Sequence, residues 1–260
     1  LGLNRPWYIQ YFDWAGNILQ ADWGMSLRLS LPVGEVVGDA FWNSASLAVT
    51  ALVTVIIIAI PLGILAALYR GSKVDLGIGL FAYVGTAMPE FVTATLLLVF
   101  LAGSAGGYLP AGGFIAPNES FPGFVSHVIL PAGTLGLILM AHIARQVRSE
   151  MSDVLASDYI RAARLKGLRE RTVIRRHALP NSLAPAVAVI SLDIGYLLGG
   201  IIVVEEIFAW PGLGRLLIYA LENRDLPVIQ AITLLLAAVY ALSNLFSDLV
   251  IAALDPRVRY

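Results

Sequence analysis

Cysteine occurs nowhere in the 260-residue chain, which excludes a disulfide framework, a thiolate metal site and a cysteine nucleophile, and leaves the redox compartment unreadable. Charge is almost as scarce, since 13% of residues are Asp, Glu, Lys or Arg against 58% apolar ones, and mean hydropathy is +0.79. Soluble domains carry about twice that charged fraction, so the composition points to an integral membrane protein. The three histidines, His127, His142 and His177, are spaced too widely for a helix-borne pair of metal ligands, and no metal site is expected. Also missing are a GxSxG nucleophile motif, a protease-like pair of intramembrane aspartates and any internal repeat from which a selectivity filter is built. A membrane hydrolase and a passive channel therefore lack their characteristic residues, and no catalytic residue is expected.

Five runs of roughly 20 apolar residues, the length that crosses a hydrocarbon core of ~30 Å, lie near 43–68, 76–102, 127–146, 183–207 and 228–254. Runs this long fit helices and not a barrel, so the expected fold is all-α, a polytopic transmembrane helical bundle. Pro61, Pro89 and Gly195 within them are tolerated because neighbouring helices and hydroxyl side chains satisfy the freed backbone groups. Residues 103–123 are rich in Gly and Pro and read as a loop outside the bilayer. Residues 1–42 combine Trp7, Tyr8, Tyr11, Trp14 and Trp23 with Asp13, Asp22, Glu35 and Asp39, and form a separate extracytoplasmic amphipathic segment ahead of a membrane domain at 43–260. The tryptophans there and Trp42 fit interfacial anchors, with peptide contact as the second reading.

Orientation follows from Lys and Arg, which cytoplasmic loops enrich. With the spans taken in order, one set of loops holds thirteen, among them Arg70, Lys73, Arg145 and Arg148, and the other set holds four, Arg5, Arg28, Arg215 and Arg224. That asymmetry places the C-terminus in the cytoplasm of a cell-membrane protein and the first forty residues outside. The chain begins at Leu1, and its start is neither a signal peptide nor a span. An N-terminal portion carrying a sixth span is therefore expected.

The most distinctive stretch is DYIRAARLKGLRERTVIRRHALP at 158–180, basic, amphipathic and set between apolar segments, within a hairpin spanning about 148–180. Ser157 or Asp158 fits a cap, Tyr159, Ala162, Ala163 and Lys166 fall on one helical face, and Gly167 breaks the run with a residue suited to positive φ. A second short helix is expected from about Arg169, stopping before Pro180. Small Ala162 and Ala163 leave a flat surface, and Arg161, Arg164, Arg169, Arg171, Arg175 and Arg176 offer charge to a partner protein. Attraction of the same cations to anionic lipid fits the spacing equally well.

The order Ala162-Ala163, three residues, Gly167, nine residues, His177, one residue, Leu179-Pro180 resembles the EAA loop in permease subunits of binding-protein-dependent ABC importers. Arg161 stands where Glu is usual and His177 where an aliphatic residue is usual, which is similar to the dipeptide, oligopeptide and nickel branch. YLPAGG at 108–113, GYLLGG at 195–200, VVEEIFAWPGLGRLL at 203–217 and LDPRVRY at the C-terminus also match that branch. The resemblance implies a type I importer permease, half of a pathway for di- or oligopeptides, with nickel or oligosaccharides as the alternative cargo. It implies ATPase docking through Tyr159, Arg161, Ala162, Ala163, Arg164, Lys166, Gly167, His177, Leu179 and Pro180. The partners it implies are a second, homologous permease subunit, two ABC ATPases that bind ATP and Mg, an external solute-binding protein and the lipid bilayer, but no nucleic acid. No GxxxxGKS/T phosphate loop occurs here, in keeping with a chain that holds no cofactor and draws its energy from another polypeptide.

Other residues carry two readings each. Gly195, Gly199 and Gly200, with Tyr196, have small-residue spacing for helix packing or line a gate. Glu90 and Asp193 are ionisable groups at membrane depth, facing a polar pathway or lying at the interface without a role in transport. Glu205 and Glu206, ahead of Trp210-Pro211-Gly212, fit a loop held against the binding protein or the external gate, or plain solvation. No cluster of His or Met lies along the spans, which argues mildly against a dedicated nickel path.

Overall fold

The computed structural model describes residues 6–102 and 107–254, and within these all side chains except those of 184–185, 188–189, 191–192, 194–196, 198–200, 251 and 254. The end of the LDPRVRY stretch lies outside the described residues. Helix α1 (Trp7–Leu19) is amphipathic and turns Trp7, Tyr8, Tyr11 and Phe12 outward. Helix α2 (Val33–Leu68) begins ten residues ahead of the expected span. Its extra turns are amphipathic, and Val33, Val37 and Ala40, spaced i, i+4, i+7, pack inward.

Gly71, at φ +78°, turns the chain into α3 (Lys73–Ala87), where the Ser72 hydroxyl accepts the Val74 and Asp75 amides. Met88 is extended, as the residue before Pro89 must be. Helix α4 (Glu90–Leu97) then leaves at 108° to α3 and runs on into a π-helical turn, Leu98–Ala102. The apolar run at 76–102 is thus two half-helices, not one straight span, because proline removes a helical N–H and crowds the preceding turn.

Helix α5 (Phe121–Ala156) starts where Ser120 accepts the Gly123 amide and Pro122 sits in the first turn. It begins before and ends beyond the expected 127–146. The hairpin is α6 (Asp158–Leu165), α7 (Glu170–Thr172) and a π-helical turn, Val173–Ala178, which passes without a break into α8 (Leu179–Ile207). Pro180 does not stop the helix, because it follows directly on the π-helical turn Val173–Ala178, whose wider turn accommodates the missing N–H and the ring. Helices α9 (Leu213–Glu222) and α10 (Leu226–Leu254) complete the chain. Among the described residues, α2, α5 and α10 are each long and apolar enough to cross a membrane, and the bent α3–α4 pair makes up to four.

Three apolar clusters follow one another through the molecule. The largest joins Leu47 and Val55 of α2, Leu135, Leu139 and Ile143 of α5, and Leu197, Ile201 and Val204 of α8. One joins the start of α2 to α9 and α10, and one seats the hairpin on the ends of α2 and α5. Gly63 permits the close approach of α2 to α5, since a Cβ there would overlap the Ala144 carbonyl and Val147. Arg148 of α5 grips Asp75 of α3 through two hydrogen bonds, Nε–Oδ1 at 2.5 Å and Nη2–Oδ2 at 2.8 Å, and the Gly71 amide also donates to Asp75 Oδ2 at 2.9 Å.

The segment after α1 is strapped to the α9–α10 corner. Buried Asp225 accepts the Ser26 hydroxyl and the Leu27 and Arg28 amides, while Arg28 Nε donates to the Asn223 carbonyl at 2.9 Å. Burial opposes ionisation of Asp225, but these donors and the Val228 amide outweigh it and hold its carboxyl below the ordinary aspartate value. A depressed folded-state pKa contributes stability above the unfolded value, and that contribution disappears as pH falls through the folded one. Amide-exchange protection at Leu27 and Arg28, corrected for intrinsic rates, should therefore fall as pH drops below about 4, and should already be weak at neutral pH in Asp225→Asn.

Candidate functional site

The hairpin is built on a rigid seat. Ile160 and Ala163 of α6 are buried against Ala67, Met151, Val173 and Ala178. The helix ends in a double hydrogen-bonded turn, with the Gly167 amide donating to the Arg164 carbonyl at 3.0 Å and the Leu168 amide to the Ala163 carbonyl at 3.4 Å, and Gly167 takes φ +78°. Arg164 then clasps Glu170 through Nη2–Oε1 at 2.7 Å and Nε–Oε2 at 3.1 Å. The hydrogen bond from Arg164 holds the Glu170 carboxyl below its usual range. Ser157 sits at the cap position of α6, yet its hydroxyl donates to the Val154 carbonyl, and no side chain caps the helix.

This packing changes the expected face. Ala163 points inward, because Ile160 three residues earlier sets the phase of the helix, and it offers no outer surface. Tyr159, Arg161, Ala162, Arg164 and Lys166 are exposed, and so is Leu165, an apolar side chain 82% exposed at the tip. Leu165 was not singled out by the cation pattern; an apolar residue one position before the Lys-Gly turn is the signal that marks it. His177 and Leu179 are half-buried where the π-helical turn meets α8, and Pro180 is exposed. The Asn181 side chain donates to the His177 carbonyl at 2.7 Å.

Farther along α8, Asp193 is buried and lies 3.3 Å from Nδ1 of His142 on α5. This pair ties the two helices, and His142, fifty-one positions away in sequence, was read only as a poor metal ligand. Glu90 is the first residue of α4, half-buried, with its carboxylate at the positive end of that helix, which packs against α8. Gly195, Tyr196, Gly199 and Gly200 fall on α8, but what surrounds their side-chain positions lies outside the described residues.

The opposite end of α8 holds a buried polar node. Glu205 is fully buried; its Oε1 accepts the Ser44 hydroxyl at 2.5 Å, and its Oε2 accepts the amides of Gly214 at 2.7 Å and Arg215 at 3.3 Å. Ser44 Oγ in turn accepts the Leu213 amide at 2.8 Å, so two side chains satisfy the unpaired donors in the first turn of α9. A Cβ at Gly212 would fall on the Glu205 carboxylate. Trp210 is also buried, stacked edge-on to Phe114 with its Nε1 donating to the Asn43 carbonyl at 3.0 Å. The 107–120 loop folds beneath it, with the Gly113 amide on the Phe208 carbonyl at 2.8 Å. Glu205 and Trp210 therefore hold the chain together and present nothing to an external protein, contrary to the sequence reading. Glu206 remains exposed, 4.0 Å from Arg215. Among the described residues no group of His, Asp or Glu is arranged to hold a metal ion.

Residues 59–260 match the family described as the binding-protein-dependent transport system inner membrane component. The oligopeptide transport system permease protein AppB of Bacillus subtilis (strain 168) is 40% identical over all of this chain and 83% of its own. The glutathione transport system permease protein GsiC of Escherichia coli (strain K12) is 39% identical over all of this chain and 82% of its own. A chain from the inward-facing MetNI methionine ABC transporter shares the fold, with TM-score 0.69 over 86% of this chain and 98% of its own at 17% identity.

Proposed function

The chain belongs to the family of binding-protein-dependent transport system inner membrane components, and on that premise we propose that it forms half of the pathway of an ATP-driven importer for di- or oligopeptides. The peptide cargo is supported by the two curated relatives, one of an oligopeptide system and one of a glutathione system, itself a small peptide. The observation that carries the coupling role is the hairpin, whose inner face is locked onto α5 and the π-helical turn while Tyr159, Ala162, Leu165 and Lys166 stay uncovered. A cytoplasmic ATPase subunit docks on that face. ATP binding draws the two ATPases together, the hairpins follow as rigid bodies, and the spans swing from inward-open to outward-open; hydrolysis resets them. The excess of Lys and Arg in one set of loops supports a cytoplasmic position for this end and the C-terminus. An external solute-binding protein delivers the cargo to the other end, and a homologous second permease completes the pathway.

ATP-dependent uptake of a labelled dipeptide and oligopeptide mixture into proteoliposomes holding the permeases, ATPases and binding protein tests this reading. Uptake that needs both ATP and the binding protein is expected; ATP hydrolysis with no peptide uptake would refute the cargo. In the same assay Asp193→Ala, which removes a buried carboxylate from α8 and strands His142, should lower uptake about tenfold or more with assembly intact. Unchanged uptake would remove Asp193 from the pathway.

A further inference from the structure

One groove is used by neither the hairpin nor the α8 sites. It lies between α3 and α5, has a volume of about 510 Å³, and is lined by the polar Ser72, Lys73, Arg145 and Arg148 and by Leu76, Leu80 and Tyr83. Lys73, Leu76, Leu80 and Tyr83 follow one another at i, i+3, i+7 and i+10, a single stripe along α3 with a cation at its head. All four are exposed, as is Arg145 across the groove.

The charge balance of the lining is one-sided. Three cations face one carboxylate, and that carboxylate, Asp75, is bound by Arg148 and the Gly71 amide. Lys73 and Arg145 are left to attract an anion, beside the N-terminus of α3, whose dipole has the same sign. The stripe from Lys73 to Tyr83 is about 15 Å long, half of a ~30 Å hydrocarbon core and so the depth of one leaflet.

We propose that this groove binds an anionic phospholipid of the cytoplasmic leaflet, with the phosphate between Lys73 and Arg145 and an acyl chain along Leu76, Leu80 and Tyr83. Charge decides the occupant. An apolar helix of another subunit would cover the leucines but bury two unpaired cations at its edge, an unfavourable exchange, whereas a phosphate satisfies both.

The test uses the whole transporter complex, washed in detergent and offered dioleoylphosphatidylglycerol against dioleoylphosphatidylcholine, with retained lipid quantified by mass spectrometry and a photo-crosslinker placed at position 80. Wild type should prefer the anionic lipid and the crosslinker should capture lipid. Lys73→Gln and Arg145→Gln should each weaken the preference about fivefold and together by more than tenfold. Both side chains are exposed, so either single variant carries the test should the double variant fail to assemble. An unchanged preference in the variants, equal retention of both lipids by wild type, or crosslinking of position 80 to a protein chain would each overturn the proposal.

Discussion

Glu205→Ala should destabilise the folded permease by roughly 3–5 kcal/mol, the largest loss expected from any single side chain described above. The magnitude follows from the partners it would abandon. The Ser44 hydroxyl and the Gly214 and Arg215 amides all donate to this carboxylate, and each buried donor left unpaired costs about 1–3 kcal/mol. Alanine also opens a void beside Gly212, against which the carboxylate packs. Glu205→Gln keeps one acceptor oxygen and nearly the same volume, so its loss should be about half as large. Thermal unfolding of the detergent-solubilised complex and the yield of assembled transporter measure both variants; an alanine variant as stable as wild type would show that water replaces the carboxylate.

Leu165→Asp should have the opposite profile, leaving the permease folded while uncoupling it. At 82% exposure, Leu165 contributes little to the stability of this chain, and surface substitutions of that kind stay within about 0.5 kcal/mol. On the proposed docking face it is the most exposed large apolar side chain at the tip, with cationic Arg164 and Lys166 on either side of it in the chain, as an anchor within a polar rim should be. Placing a carboxylate in the partner's pocket should cost about 2–4 kcal/mol of association, a 30- to 1,000-fold loss. Co-purification of the ATPase subunits and ATP-dependent uptake should both collapse, with thermal unfolding unchanged. Retained ATPase binding would shift the docking surface away from the tip.

The contrast between these residues explains what sequence could reveal. The long apolar runs of α2, α5 and α10 are legible because hydropathy depends on local composition, and the Gly167 turn is legible because its geometry is local too. Burial of a carboxylate is not. Glu205 reads as part of an external loop or as solvated until Ser44, 161 positions away, is brought beside it, and Asp75 shows no purpose until Arg148 arrives from another helix. The phase of α6 was misjudged for a related reason, since Ala162 and Ala163 are indistinguishable until Ile160 finds the pocket between Met151 and Val173. Pro180 points in the other direction: a proline signals a stop in a helix interior, yet the π-helical turn just before it lets this helix run on.

That uninterrupted passage through Pro180 makes the hairpin and the Glu205 node the two ends of one lever. From Glu170 through the π-helical turn to Ile207 the backbone stays helical, a rod of about 55 Å at ~1.5 Å per residue. Tilting such a rod by about 10° around its middle carries each tip about 5 Å in opposite directions, the scale of one helical turn. The hydrogen bonds from Ser44, Gly214 and Arg215 to Glu205 are a linkage at the far tip, and a stroke delivered at the hairpin would reach α9 and α2 through them.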